Sequence, residues 1–385
     1  MGMFLLCTFL MIILYPLGID LYLVAVPRIA QTLQGSEAQI HTAFSIYLLG
    51  MAATVLPGGM LADRHGRRPV VLGGALIFVV ASLAAAEATG IAQFYLGRFW
   101  QGVGAGALYI MTFTVLRDVL SQARLAMALS LINGVICVIP VLAPVLGYLI
   151  LSHFEWRGIF VGMALVAVIS ALVNLRLLKE TRPARQPAGA SPLALLGTAP
   201  FMLRALLTSA SVTAILVYVS VSPLVLMITF GLSPEQYTRL MMAMAGVSMS
   251  ASFLTPLLLR WLGKARVLAL SHLLALLALL CSSGPEGGLS WLLAGYALVC
   301  IGFSCGFGVA MGEALDVCGD QVASASALLC IMQIGLSGLF IWGMGHLGMP
   351  ALWMLILALL LALLGYLVVK VLLPWRAVRR VRARG

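Results

Sequence analysis

Asp20 and Arg98 are the two charged groups of this chain that fall deep inside apolar runs. A carboxyl group in such a place can take up and release a proton. A guanidinium at the same depth can hold the carboxylate or modulate its proton. An ionisable group within a membrane span is costly, so its presence is read first as a functional site. The other eleven acids, from Glu37 to Asp320, fall in loops or near the ends of apolar runs. Helix rise puts Asp20 roughly 10 Å and Arg98 roughly 9 Å from the expected outer ends of their spans, so the two can meet. A neighbouring arginine favours the ionised carboxyl and desolvation opposes it. A working proton site therefore needs a contact that changes between conformations. The alternative is a purely structural partnership of acid and cation.

Helical spacing extends the site. Gln101, Ala105, Tyr109 and Thr112 follow Arg98 on roughly one face. Ile13, Pro16, Leu17 and Leu23 share the Asp20 side, whereas Tyr22 points largely away and is left out of the proton site. Asn133, Tyr218 and Gln333 are further polar or amphipathic residues inside apolar runs. Each either contacts a substrate or cross-bonds neighbouring helices. Tyr109, Thr112, Asn133, Tyr218 and Gln333 form the candidate substrate cavity.

Other chemistry is poorly supported. The seven cysteines contain no C-x-x-C pair, and His41, His272 and His346 lack metal-ligand spacing. No metal or cofactor is expected. There is no P-loop to bind ATP, so energy would come from an ion or solute gradient. No cluster of His, Asp or Cys suggests an enzyme inside the bilayer.

The elements that position these residues are apolar helices. The 385 residues are 62% hydrophobic and 9% charged, where soluble domains average about 25% charged. About twelve runs are long enough to cross a bilayer, near 4–26, 40–61, 70–87, 92–116, 126–150, 157–178, 201–227, 239–259, 266–283, 290–312, 322–343 and 350–373. They are too long, and too apolar all round, for barrel strands. The first lacks a basic leader and a cleavage site and is expected to stay as span 1. The fifth carries Pro140 and Pro144 with Gly134 and Gly147, which suits a helix bent beside a cavity.

Charge sets the expected sidedness. With an internal amino terminus, 19 of the 23 Lys and Arg residues fall on the cytoplasmic side, both termini included. The net charge of +11 therefore reads as membrane orientation and not as nucleic-acid binding, with the Arg376–Arg384 tail against anionic lipid. The segment from Lys179 to Pro192 is basic and proline-rich, a linker that parts the spans six and six. Expected domains are 1–178, a linker at 179–200, and 201–385. The halves echo each other: Gly66-Arg67 returns as Gly263-Lys264, offset 197, and Gly102 to Gly106 returns as Gly302 to Gly306, offset 200. The expected fold is an all-α membrane protein of twelve helices in two pseudo-symmetric six-helix bundles, with substrate bound between them.

Between spans 2 and 3 lies Gly59-x-Leu61-Ala62-Asp63-Arg64-x-Gly66-Arg67-Arg68. Gly59 is expected to allow close helix approach and Gly66 to supply the turn. The loop itself reads as a basic marker of sidedness. It also resembles motif A of the major facilitator superfamily. Arg98-x-x-Gln101-Gly102-x-Gly104-Ala105-Gly106 resembles motif B, and Asp20-x-Tyr22-Leu23-x-x-x-Pro27 resembles the motif D region of the drug:proton antiporters. Within these the chain is similar to the bicyclomycin and chloramphenicol exporter branch. Motif C departs from the pattern, with Ala143-Pro144 and Gly147-Tyr148 where Gly-Pro and Gly-Gly are usual.

The resemblance implies a major facilitator fold in a bacterial inner membrane. It implies a monomer that exchanges protons for small amphiphilic drugs, with Asp20 and Arg98 in proton coupling. It also implies a cytoplasmic latch in which Arg67 pairs with Asp118, together with Gly59, Asp63 and Gly66. Arg260 stands where the second loop should repeat Asp63, so the latch is expected to be asymmetric. A sugar or metabolite exporter on the same fold is the alternative. The scarcity of amides inside the spans leans towards drugs.

Overall fold

The computed structural model describes residues 2–182, 192–283, 288–318 and 322–382. These are helical almost throughout. Fourteen α-helices are described: α1 Gly2–Ile12, α2 Leu14–Asp20, α3 Val26–Thr32, α4 Glu37–His65, α5 Arg67–Ala86, α6 Ile91–Val119, α7 Gln122–His153, α8 Glu155–Leu177, α9 Ala199–Pro223, α10 Pro234–Leu262, α11 Lys264–Ser283, α12 Leu289–Leu315, α13 Val322–His346 and α14 Ala351–Arg382. Among the described residues, eleven helical segments are long and apolar enough to cross a membrane. The expected fifth span is α7, whose described apolar stretch is Val138–His153.

The first span differs from expectation. It runs from Gly2 to Thr32 and is broken twice. Proline explains both breaks, because its ring clashes with the carbonyl four residues earlier and it has no N–H to donate. Pro16 disrupts the chain at Ile12–Ile13, between α1 and α2. Pro27 disrupts it at Leu23, where a short 3-10 turn, Leu23–Ala25, replaces the α-helix. Asp20 is the last residue of α2, at the edge of the second break.

Two compact units divide the chain. The first holds Met1–Pro187, Val219–Ala245 and Gly338–Met349; the second holds Ala188–Tyr218, Gly246–Ser337 and Pro350–Gly385.

In the first unit α6 packs along both α4 and α5. Its glycines make that possible. A Cβ on Gly102 would strike the Tyr47 carbonyl of α4, and one on Gly104 would lie 2.6 Å from the Gly74 carbonyl of α5. Small residues let helices approach closely where no hydrophobic force separates protein from lipid. Gly59 does not share this role: nothing lies within 4 Å of the place its Cβ would take, and the tight α4–α6 contacts lie further back along α4, at Tyr47–Met51. Large apolar side chains such as Leu76, Val80, Leu165 and Leu172 stay exposed, as they should on a surface solvated by hydrocarbon.

In the second unit α11 packs along α12 and α14. Local structure repeats between the two halves of the sequence. Ser36 and Gln39 form a capping box at the start of α4, and Ser233 and Gln236 exchange the same two bonds at the start of α10, offset 197. Gly66 and Gly263 both have positive φ, 102° and 77°. The glycine echo falls within one residue of this register, at an offset of 198, once its pairing is corrected. A Cβ on Gly302 would lie 3.0 Å from the Ser271 carbonyl, as one on Gly104 would meet the Gly74 carbonyl. The counterpart of Gly302 is therefore Gly104, not Gly102.

Candidate functional site

Arg98 is the largest fully buried side chain of the molecule's described core, at 0% exposure. Its guanidinium lies between two tyrosine rings, 4.5 Å from the Tyr22 centroid and 4.4 Å from the Tyr47 centroid. One Nη donates to the Gly18 carbonyl at 2.9 Å, and the other donates to Gln101 Oε1. The Gly18 carbonyl is free to accept because the helix breaks: in an unbroken helix it would serve the N–H of Tyr22. Gln101 passes the contact on, donating to Ser82 Oγ at 2.8 Å and approaching Met163 Sδ at 3.3 Å.

Asp20 is buried, at 8% exposure. The two charges do not pair. Among the described residues no carboxylate lies within ion-pair distance of Arg98, and Arg98 Nε has no hydrogen-bond partner. Burying an unpaired charge costs several kcal/mol. Two desolvated cation–π contacts return about 2 kcal/mol each. The arrangement thus holds an arginine whose charge is shielded but not neutralised, bound to the carbonyl of Gly18 two residues before Asp20. Tyr22 and Tyr47 experience the charges of both Asp20 and Arg98. Tyr237 of α10, only 1% exposed, has its hydroxyl 3.4 Å from Ser222 Oγ.

Tyr22, Tyr47 and Tyr237 were not foreseen. Sequence periodicity assumes a continuous helix, which would turn Tyr22 away from Asp20. The break at Leu21–Tyr22 removes that assumption, and Pro27 was the sequence signal for it.

A second cluster surrounds Arg67, whose side chain is 3% exposed. Arg67 Nε donates to Asp118 Oδ2 at 2.9 Å, and Nη1 donates to Asp63 Oδ1 at 2.8 Å and to the Ala62 carbonyl at 2.9 Å. The three predicted charges are brought together at the α4–α5 turn. Gly66 makes the turn at φ 102°, a region where a side chain is strained. In the second unit Lys264 and Asp316 stand 3.4 Å apart, each about two-thirds exposed.

The candidate cavity residues are less united. Thr112 is fully buried and bonds back to the Leu108 carbonyl of its own helix. Tyr109 stacks edge-on with Tyr15 and Phe113. Gln101 faces α5 and α8 rather than open space. In the second unit Tyr218 packs on Tyr296, and Gln333 Nε2 reaches Met311 Sδ at 3.5 Å. The side chain of Asn133 lies outside the described residues.

Comparison with known proteins identifies the family and the fold. The family model of the Major Facilitator Superfamily matches residues 8–333. The chain is 46% identical over 362 residues to "Multidrug resistance protein MdtL" of Klebsiella pneumoniae (strain 342), covering 92% of each. It is 44% identical over 367 residues to the protein of the same name from Escherichia coli O81 (strain ED1a), covering 94% of this chain and 93% of the relative. Among solved structures it resembles a bacterial homologue of the human lysosomal transporter Spinster, with TM-score 0.75 and 17% identity over 94% of this chain and 95% of that one. It also resembles a D-xylose-proton symporter, with TM-score 0.74 and 14% identity over 96% and 97%. At these identities the structures speak to the fold alone.

Proposed function

The chain belongs to the major facilitator superfamily, a multi-pass membrane transporter and not an enzyme, and on that premise we propose that it exports amphiphilic drugs in exchange for protons. The relatives named for multidrug resistance support drug-type substrates. The observation that carries the coupling is that the buried Arg98 has, among the described residues, no carboxylate in ion-pair reach, while Asp20 is buried two residues from the Gly18 carbonyl that Arg98 binds.

In this reading Asp20 is the proton carrier and Arg98 its modulator. Deprotonated Asp20 is drawn to the uncompensated guanidinium; protonated Asp20 releases it. Arg98 then returns to the Tyr22–Tyr47 sandwich and the Gly18 carbonyl. The helix break lets the carboxyl group move without unravelling a continuous helix. Tyr109, Thr112, Asn133, Tyr218 and Gln333 remain the candidates for drug contact during alternating access. The end of the bundle that carries Arg67 faces the cytoplasm with both termini, and the Arg67–Asp63–Asp118 cluster latches it closed. The transporter works as a monomer, with lipid around it.

The test is transport in proteoliposomes with an imposed pH gradient, using chloramphenicol as the probe. Drug-driven proton movement is expected in the wild type and lost in Asp20→Asn. Proton movement that survives Asp20→Asn would remove Asp20 from the coupling.

A further inference from the structure

Glu180 lies three residues beyond α8, where the chain leaves the first half. Its carboxylate accepts four backbone N–H bonds. Two come from Arg67 at 2.8 Å and Arg68 at 3.2 Å, in the first turn of α5. Two come from Thr181 at 3.0 Å and Arg182 at 2.9 Å. The first pair are orphan donors of a helix start whose N-cap, Gly66, has no side chain to offer. A carboxylate there also meets the positive end of the helix dipole.

Gly66 is part of the fit. A Cβ at that position would collide with Glu180 Oε2. Two arginines tighten the contact: Arg182 Nη1 donates to the Arg64 carbonyl at 2.8 Å, and Arg68 Nη2 donates to the Leu175 carbonyl at 2.6 Å. Partial burial works to raise the Glu180 carboxyl. The N–H donors of Arg67, Arg182, Arg68 and Thr181 outweigh it and hold the group below its ordinary range.

Arg67 is therefore held from two directions. Its backbone N–H binds Glu180 and its side chain binds Asp118. We propose that Glu180 is a positioning residue of the latch, clipping the start of the linker onto the motif A turn so that opening the latch releases the linker. The inference rests on the latch reading given under the proposed function. Release would free residues 179–182 and add roughly 14 Å of extended reach to the connection between the halves.

Hydrogen–deuterium exchange on the full-length protein in lipid nanodiscs tests this without substrate or gradient. Glu180→Ala should speed exchange at the Arg67, Arg68, Thr181 and Arg182 amides about fivefold or more. Glu180→Gln keeps an acceptor oxygen and should fall between. Asp118→Asn, which leaves Glu180 in place, should also speed exchange at Thr181 and Arg182, while α12 exchanges as in the wild type. Unchanged protection of Arg67 and Arg68 in Glu180→Ala would overturn the clip. Unchanged protection of Thr181 and Arg182 in Asp118→Asn would overturn the coupling and leave Glu180 a local helix cap. Failure of the latch itself reads out separately, as an inward/outward balance in Asp118→Asn that cysteine labelling finds unaltered.

Discussion

Arg67 Nε meets Asp118 Oδ2 at 2.9 Å with both side chains shielded, at 3% and 8% exposure. Its counterpart in the second unit, Lys264 with Asp316, is longer at 3.4 Å and exposed at 67% and 65%. Exposed pairs contribute about 0–1 kcal/mol, whereas removing one partner of a buried pair costs about 3–5 kcal/mol. Asp118→Asn should therefore lower the melting temperature in detergent and shift the inward/outward balance. Asp316→Asn should do neither. Equal effects of the two substitutions would show that the sequence repeat, and not burial, governs the latch.

Arg98 serves a carbonyl, an amide oxygen and two aromatic faces at once. A planar guanidinium can do this; a compact ammonium cannot present a fork and a stacking face together. Arg98→Lys should fold but transport at least about tenfold more slowly, since loss of one charge-assisted hydrogen bond alone is worth about 1.5–3 kcal/mol. Drug flux in vesicles, normalised to the amount of folded protein, measures it. Near-normal flux would mean that charge alone suffices at this position.

The glycines of α6 separate packing from motif membership. Gly102→Ala would press a methyl group into the Tyr47 carbonyl, which is backbone and cannot swing aside. Overpacking of this kind costs about 1–3 kcal/mol. Gly104→Ala should behave alike against Gly74 and Phe78. Gly59→Ala has open space and should stay within about 0.5 kcal/mol of the wild type. Thermal unfolding of the three variants in one detergent decides the matter. A large loss in Gly59→Ala would mean that its motif role is structural after all.

Much of this architecture was legible because membranes make sequence explicit. Backbone groups must be satisfied within each span, so length and apolarity identify the helices. The Arg67, Asp63 and Asp118 cluster was legible from the family resemblance, with Asp63 and Arg67 inside motif A and Asp118 near the end of α6. The buried centre was harder. Depth counting along one straight helix placed Asp20 level with Arg98, but the proline-driven break changes which way Tyr22 faces and hands the Gly18 carbonyl to Arg98. Pro16 and Pro27 carry that information, but in the sequence Pro16 stands out only as a residue on the Asp20 face and Pro27 only as part of a motif. Glu180 could not be foreseen, because its bond to Arg67 joins residues 113 apart in sequence. Nothing in the local pattern of the linker distinguishes a docked carboxylate from a solvated one.

Glu180 supplies a pH signature of its own. Its carboxyl is held below the ordinary range by the backbone donors it accepts, against the opposing pull of partial burial. A group whose folded-state pKa is depressed stabilises the fold above its unfolded value, and loses that contribution as pH falls through the folded one. The wild type should therefore melt above Glu180→Gln at neutral pH. The gap should persist through mildly acidic conditions and close only below the ordinary carboxylate range. Parallel melting series of the two proteins across that range give the difference directly, with other titrating groups cancelling between them. A gap that stays constant into strong acid would show that Glu180 acts through the shape of its hydrogen bonds and not through its charge.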